Sequence, residues 1–198
     1  MTRIYPGPTS LTALGGVGEL DLLTYFDGEL VVPEAVEREV TTEPARTGLA
    51  TFLDERDVAR EVPDAGYDRA TDVLGVAADT HEAAVLGGVV AGAGGDRDRG
   101  VAPVSDGDGD AAARDEDGDV ANGDEARVAV VSEDRRLRRL AEGLGGSVTS
   151  AFGVVVRAAI EDKYFSRSQA KRVVRRVDDR GLGMTGAVRE QAVGALGE

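Results

Sequence analysis

Apolar positions follow two spacings along this chain. Val128 to Val131 is an unbroken apolar run. A continuous run suits a strand covered on both faces, as in a parallel sheet. It leads into Ser132-Glu133-Asp134, after which Leu137, Leu140, Ala141 and Leu144 recur at helical spacing and Gly145 ends the pattern. Ser132 is the expected helix N-cap, and two acids in a first turn suit the helix dipole. The stretch predicts strand–turn–helix, with two carboxylates at the C-terminal end of the strand. Open α/β sheets bind ligands at that edge. Helix electrostatics explains the same two acids equally well.

The rest of the chain repeats the alternation. Arg3-Ile4-Tyr5 predicts a very short strand, and Thr9 or Ser10 caps a helix carrying Leu11, Leu14 and Val17. Glu19–Phe26 reads as a short helix, Leu30-Val31-Val32 as a strand, and Pro33 as the first position of a helix to Val40. Helices follow at Ala45–Leu53 and Tyr67–Leu74, with a strand at Val58–Val62 between them. Asp79 as N-cap with Glu82 three residues on is capping-box spacing before a long apolar helix. Ser147-Val148 predicts a strand, Ser150–Asp162 a helix, and Ser166 with Gln169 a second capping box opening a basic helix to about Arg180. A last helix is expected from Thr185 to Leu196. Strands alternating with helices predict an α/β fold with a central parallel sheet flanked by helices, in three α/β/α layers. The main domain is expected at 1–165, and 166–198 is expected as a helical extension packed on it, the division that the family resemblance given below implies. The Gly/Ala-rich acidic tract 92–126 lacks periodicity and reads as a disordered surface insertion.

The 198 residues carry a formal net charge of −14. Residues 92–126 hold eleven acids and three bases, whereas 127–198 are net basic. Lysine occurs only at 163 and 171, and there is no cysteine. Disulfides and thiolate metal sites are thereby excluded. An acidic, lysine-poor, cysteine-free chain fits a halophilic, high-salt cytoplasm, and the acidity speaks to solubility rather than substrate. No apolar run approaches the roughly 20 residues of a membrane span, and the N-terminus lacks a signal-peptide core. A soluble cytoplasmic protein is expected.

Several chemistries lack their residues. No Gly-rich phosphate loop follows a strand. Ser105–Asp117 imitates a calcium loop, but Ala111 replaces the required glycine and Asp117 the terminal glutamate. His81 is the only histidine, so zinc is not expected, and no nucleophile elbow accompanies it; a surface or supporting role is its ordinary reading. Carboxylates remain: Glu39 at a helix C-terminus, where the dipole disfavours an anion, Asp79 or Glu82, and the Glu133-Asp134 pair. Clustered carboxylates without His or Cys suit Mg²⁺ or Mn²⁺, and such sites serve phosphodiester hydrolysis.

The blocks GELDLL, GELVVPEAVEREV, EAAVLGGVVA, VVSEDRRLRRLAEGLG and SAFGVVVRAAIEDKYFS resemble, in order and spacing, those of PIN domains, in the prokaryotic branch related to VapC-type toxins. The resemblance covers most of the chain outside 92–126. It implies a PIN-like α/β/α fold and a metal-dependent endoribonuclease site using Mg²⁺ or Mn²⁺. Glu39, Glu82 and Asp134 would be the catalytic acids, with Glu133 joining them as metal ligands and Asp79 a rival to Glu82. A toxin–antitoxin setting implies an antitoxin-like protein partner or a homodimer. The chain departs from the pattern at Gly7, which stands where the first metal-binding Asp belongs. Affinity follows ligand charge count, so two readings stay open: a ribonuclease, or a catalytically inactive PIN-like module binding RNA or a protein.

Arginines bear on both readings. Arg135 and Arg138 lie on the helix of the candidate acids, and Arg172 and Arg176 on the C-terminal basic helix. Guanidinium forks suit phosphate, so these four are the expected RNA or partner contacts. A solvated charged face is the plainer alternative.

Overall fold

A computed structural model of the chain describes residues 2–93, 128–161 and 164–179, with Gly194 alone beyond them. Most of the 92–126 tract and the helix expected at 185–196 lie outside the described residues. Among the described residues four strands form one sheet: β1 (Arg3–Pro6), β2 (Glu29–Leu30), β3 (Val128–Val131) and β4 (Ser147–Thr149). Their order is β2-β1-β3-β4 and every pair is parallel. In the central pair Arg3 is opposite Val128 and Pro6 opposite Val131. The apolar run at 128–131 is thus an interior strand, as its unbroken pattern predicts.

Among the described residues eight α-helices accompany the strands: α1 (Pro8–Val17), α2 (Glu34–Glu39), α3 (Ala45–Glu55), α4 (Asp64–Leu74), α5 (His81–Ala93), α6 (Arg135–Gly143), α7 (Ala151–Ile160) and α8 (Arg167–Val177). Side chains of successive strand residues point to opposite faces, and β1 shows what each face receives. A Cβ added at Gly88 of α5 would lie 2.2 Å from the Tyr5 ring, so α5 rests directly on that face. Ile4 faces the other way, into a cavity it shares with Val156 and Ile160 of α7. The sheet is therefore covered on both faces. Gly92 of α5 abuts Val128 at the start of β3 while Gly88 abuts Tyr5 further along β1. Hence α5 runs antiparallel to the strands, and its first residues, His81 and Glu82, emerge at their C-terminal edge.

Several local expectations are corrected. Gly7, not Thr9 or Ser10, is the N-cap of α1, because Pro8 supplies the preset first helical position. Pro33 caps α2 instead of beginning it. The helix expected at Glu19–Phe26 is a 3₁₀ helix at Leu20–Tyr25, whose tighter winding buries Leu20, Leu22 and Leu23. β2 is only Glu29–Leu30, and the strand expected at Val58–Val62 is a single parallel bridge between Val31 and Ala59. There Ala59 N–H donates to Leu30 O and Val32 N–H to Ala59 O, after which Pro63 withholds a donor. Ser166 and Gln169 form the expected reciprocal capping box at α8. Among the described residues no helix is long and apolar enough to cross a membrane.

Candidate functional site

In this strand order the chain leaves β1 for one side of the sheet, to β2, and leaves β3 for the other, to β4. The reversal falls between β1 and β3, and at such a switch point a crevice opens outside the C-terminal strand ends. Gly7, after β1, and Ser132, after β3, stand on either side of this switch point. Gly7 N–H donates to Val131 O at 2.7 Å, tying the start of α1 to the end of β3. Ser132 N–H donates to Thr149 O at 2.9 Å, tying the end of β3 to β4. A Cβ at Gly7 would stand 3.4 Å from Ser132 Oγ, an ordinary contact, and Gly7 has the extended backbone of φ −80°. A β-carbon would fit there without strain.

The two acids after β3 serve as helix caps. Asp134, rather than Ser132, is the N-cap of α6: its Oδ1 accepts from Arg136 N at 2.7 Å and Leu137 N at 3.0 Å. Ser132 is displaced because its hydroxyl, on a buried residue, accepts from Asp134 N instead. Glu133 Oε1 accepts from Ala151 N at 2.6 Å, the first amide of α7, so this acid reaches across to a second helix N-terminus. Burial pushes the Glu133 carboxyl above its ordinary range; the Ala151 hydrogen bond and nearby Arg138 act in the opposite direction.

The other acids form a separate group. Glu39, the last residue of α2, places Oε1 2.7 Å from His81 Nδ1. The pairing supplies what the helix dipole withholds from an anion at that end. Thr80, not Asp79, caps α5: Thr80 Oγ1 accepts from Ala83 N at 3.2 Å. Asp79 is excluded by its left-handed backbone, φ 60°, and by its amide's hydrogen bond to Tyr67 Oη at 2.6 Å. Glu82 lies in the first turn of α5 and has no hydrogen-bond or ion-pair partner among the described residues.

All these positions border the C-terminal edge of the sheet, but their carboxylates are divided. Glu39 sits with His81, and Glu133 and Asp134 sit on the caps of α7 and α6. Among the described residues no three His, Asp or Glu side chains gather closely enough to hold a metal ion. Hard cations of the Mg²⁺ kind want near-octahedral oxygen ligands at about 2.0–2.1 Å. Gly7 offers none, and Asp134, Glu133 and Glu39 each already have one oxygen engaged. As arranged, the set does not fit a divalent ion. His81 is the residue whose place sequence reasoning missed: its partner lies 42 positions away, and a lone histidine carries no spacing signal.

The arginines also separate. Arg135, Arg136 and Arg139 are exposed on the first turns of α6, opposite the buried Leu137 and Ala141. No side chain among the described residues pairs with any of the three. Arg176 instead donates to Val17 O at the end of α1 and lies 3.8 Å from Glu19. That end is about 15 Å from Gly7, at 1.5 Å per helical residue. Arg172 is one turn away from Arg176 on α8, so the expected four-arginine surface divides between opposite edges of the sheet. No family model matches the chain, and no curated protein or solved structure shows significant similarity to it.

Proposed function

We propose that the protein is a PIN-like module of the metal-dependent endoribonuclease class, with an incomplete hydrolytic site, that binds RNA at the C-terminal edge of its sheet. The observation that carries this reading is the place of Gly7 beside Ser132 at the switch point, where an α/β fold places its ligand, with ordinary contact room for a β-carbon where Gly7 supplies only hydrogen. Three of the neighbouring acids support the same view, because Asp134 and Glu133 cap helices and Glu39 is hydrogen-bonded to His81, contacts that stabilise the fold without any ligand. Exposed arginines on α6, with no ion pair among the described residues, favour a phosphate-bearing partner.

Cleavage of a structured RNA in Mn²⁺ by the native protein, Gly7→Asp and Asp134→Asn tests the proposal. The expected result is silence in the native protein and Asp134→Asn, with cleavage gained in Gly7→Asp. Cleavage by the native protein that disappears in Asp134→Asn would show a working site and overturn the incomplete-site reading. Failure of every variant to bind or cleave RNA would remove the PIN-like assignment.

A further inference from the structure

The acids of this edge do not fit a divalent ion, yet the edge is not left without positive charge. We propose that RNA phosphates are held here without a metal, by the guanidinium groups of Arg135, Arg136 and Arg139. This inference rests on the RNA-binding reading above and assigns its contacts.

Three features carry it. First, the three side chains are exposed and free of acidic partners among the described residues. An arginine already locked to a carboxylate must lose that pairing before it takes a phosphate; these need not. Second, their spacing makes one surface. Arg135 and Arg139 are four residues apart and Arg136 and Arg139 three, which sets Cβ atoms about 5–6 Å apart on a helix. Burial of Leu137 and Ala141 fixes which way the helix turns them. Third, the two carboxylates that precede the helix are already engaged: Asp134 accepts from two amides of α6, and Glu133 reaches the first amide of α7. Gly7 adds no carboxylate at the switch point. Arg172 and Arg176 are excluded, since Arg176 is engaged with Val17 and Glu19 on the opposite edge.

Binding of a short fluorescein-labelled single-stranded RNA to the full chain, read by anisotropy in EDTA and in millimolar Mn²⁺, tests it. The expected dissociation constants agree within about twofold between the two buffers. Three neutralised phosphates give a log–log salt slope of about −2, from the roughly 0.7 per contact of single strands. Arg135→Gln/Arg136→Gln/Arg139→Gln should weaken binding at least tenfold at low salt and flatten that slope, with an unchanged circular dichroism spectrum. The triple Lys version should keep the slope with lower affinity, because lysine keeps the charge but loses the fork. Arg172→Gln should bind as the native protein does. Binding that requires Mn²⁺, or a Gln triple variant that binds normally, overturns this inference and leaves the RNA-binding reading standing. Absence of binding in both buffers overturns both.

Discussion

Replacing Asp134 separates a cap from a metal ligand. Its carboxylate accepts two amide hydrogen bonds, at 2.7 and 3.0 Å, from the first turn of α6. Losing such a cap to alanine costs about 1 kcal/mol. For a chain of this length 1 kcal/mol moves Tm by about 2–4 °C, so Asp134→Ala should melt about 2–4 °C below the native protein. Asparagine caps as well as aspartate, and in molar salt the dipole part of the difference is screened. Asp134→Asn should therefore fall within about 1 °C of native by the same conversion. A metal ligand behaves otherwise. An ion at a hundred times its dissociation constant stabilises by about 2.7 kcal/mol, which would raise Tm by about 5–10 °C and would vanish in Asp134→Asn. The assay is thermal melting by circular dichroism of the three proteins in EDTA and in Mn²⁺. Equal losses in Ala and Asn, or a Mn²⁺-dependent rise confined to the native protein, would refute the capping account.

Three further outcomes follow from the same structure. Because burial raises the Glu133 carboxyl, its native form binds a proton more readily than the unfolded chain does; the associated stability is present at acid pH and lost as pH rises through the raised value. Glu133→Gln, which keeps an acceptor for Ala151 N–H, should therefore raise Tm at pH 7, and the gain should disappear below about pH 4, the ordinary carboxylate range. Gly88→Ala places a methyl 2.2 Å from the fully buried Tyr5 ring, an overpacking of about 1–3 kcal/mol in urea unfolding, and Tyr5→Leu in the same chain should recover part of it. At Gly7→Asp the β-carbon meets nothing closer than 3.4 Å and needs no unusual backbone, so its Tm should match or slightly exceed native; a drop of several degrees would mean that the carboxylate does not fit between α1 and Ser132.

Periodicity revealed the elements that bury a face. The strand at 128–131 and the helices beginning near Ala45, Ala151 and Arg167 all follow it. What it misassigned were choices between neighbouring polar residues. Ser132 and Asp134 are both good caps, and Asp79 and Thr80 likewise. The choice was made by tertiary contacts, Asp134 N–H reaching the Ser132 hydroxyl and Tyr67 Oη taking the Asp79 amide. The Val58–Val62 segment has strand-forming residues but only Ala59 meets a neighbour, because the edge of a sheet asks less of sequence than its centre. Close packing was hidden for a different reason. Gly66 and Gly87 let α4 and α5 cross with a virtual Cβ only 2.2 Å from the facing carbonyl, while glycine in a sequence reads as a breaker. At the site, residue types and their shared edge were legible. Their division into Glu39 with His81, and Glu133 and Asp134 with helix amides, depends on side-chain directions that no spacing encodes.

The parallel pairing of β1 with β3 has a consequence for how the chain reaches this state. Arg3 and Val128 are direct neighbours across the sheet centre, so the middle of the fold joins residues from opposite ends of a long stretch of chain. Such high contact order slows folding, because loop closure must precede the contacts that repay it. Until Val128 arrives, β1 can pair only with the two-residue β2, and one side of it presents an open hydrogen-bonding edge. A nascent or truncated chain ending before Val128 would carry that edge exposed, with Ile4 uncovered beside it because α7 follows later in the chain, and should self-associate rather than fold.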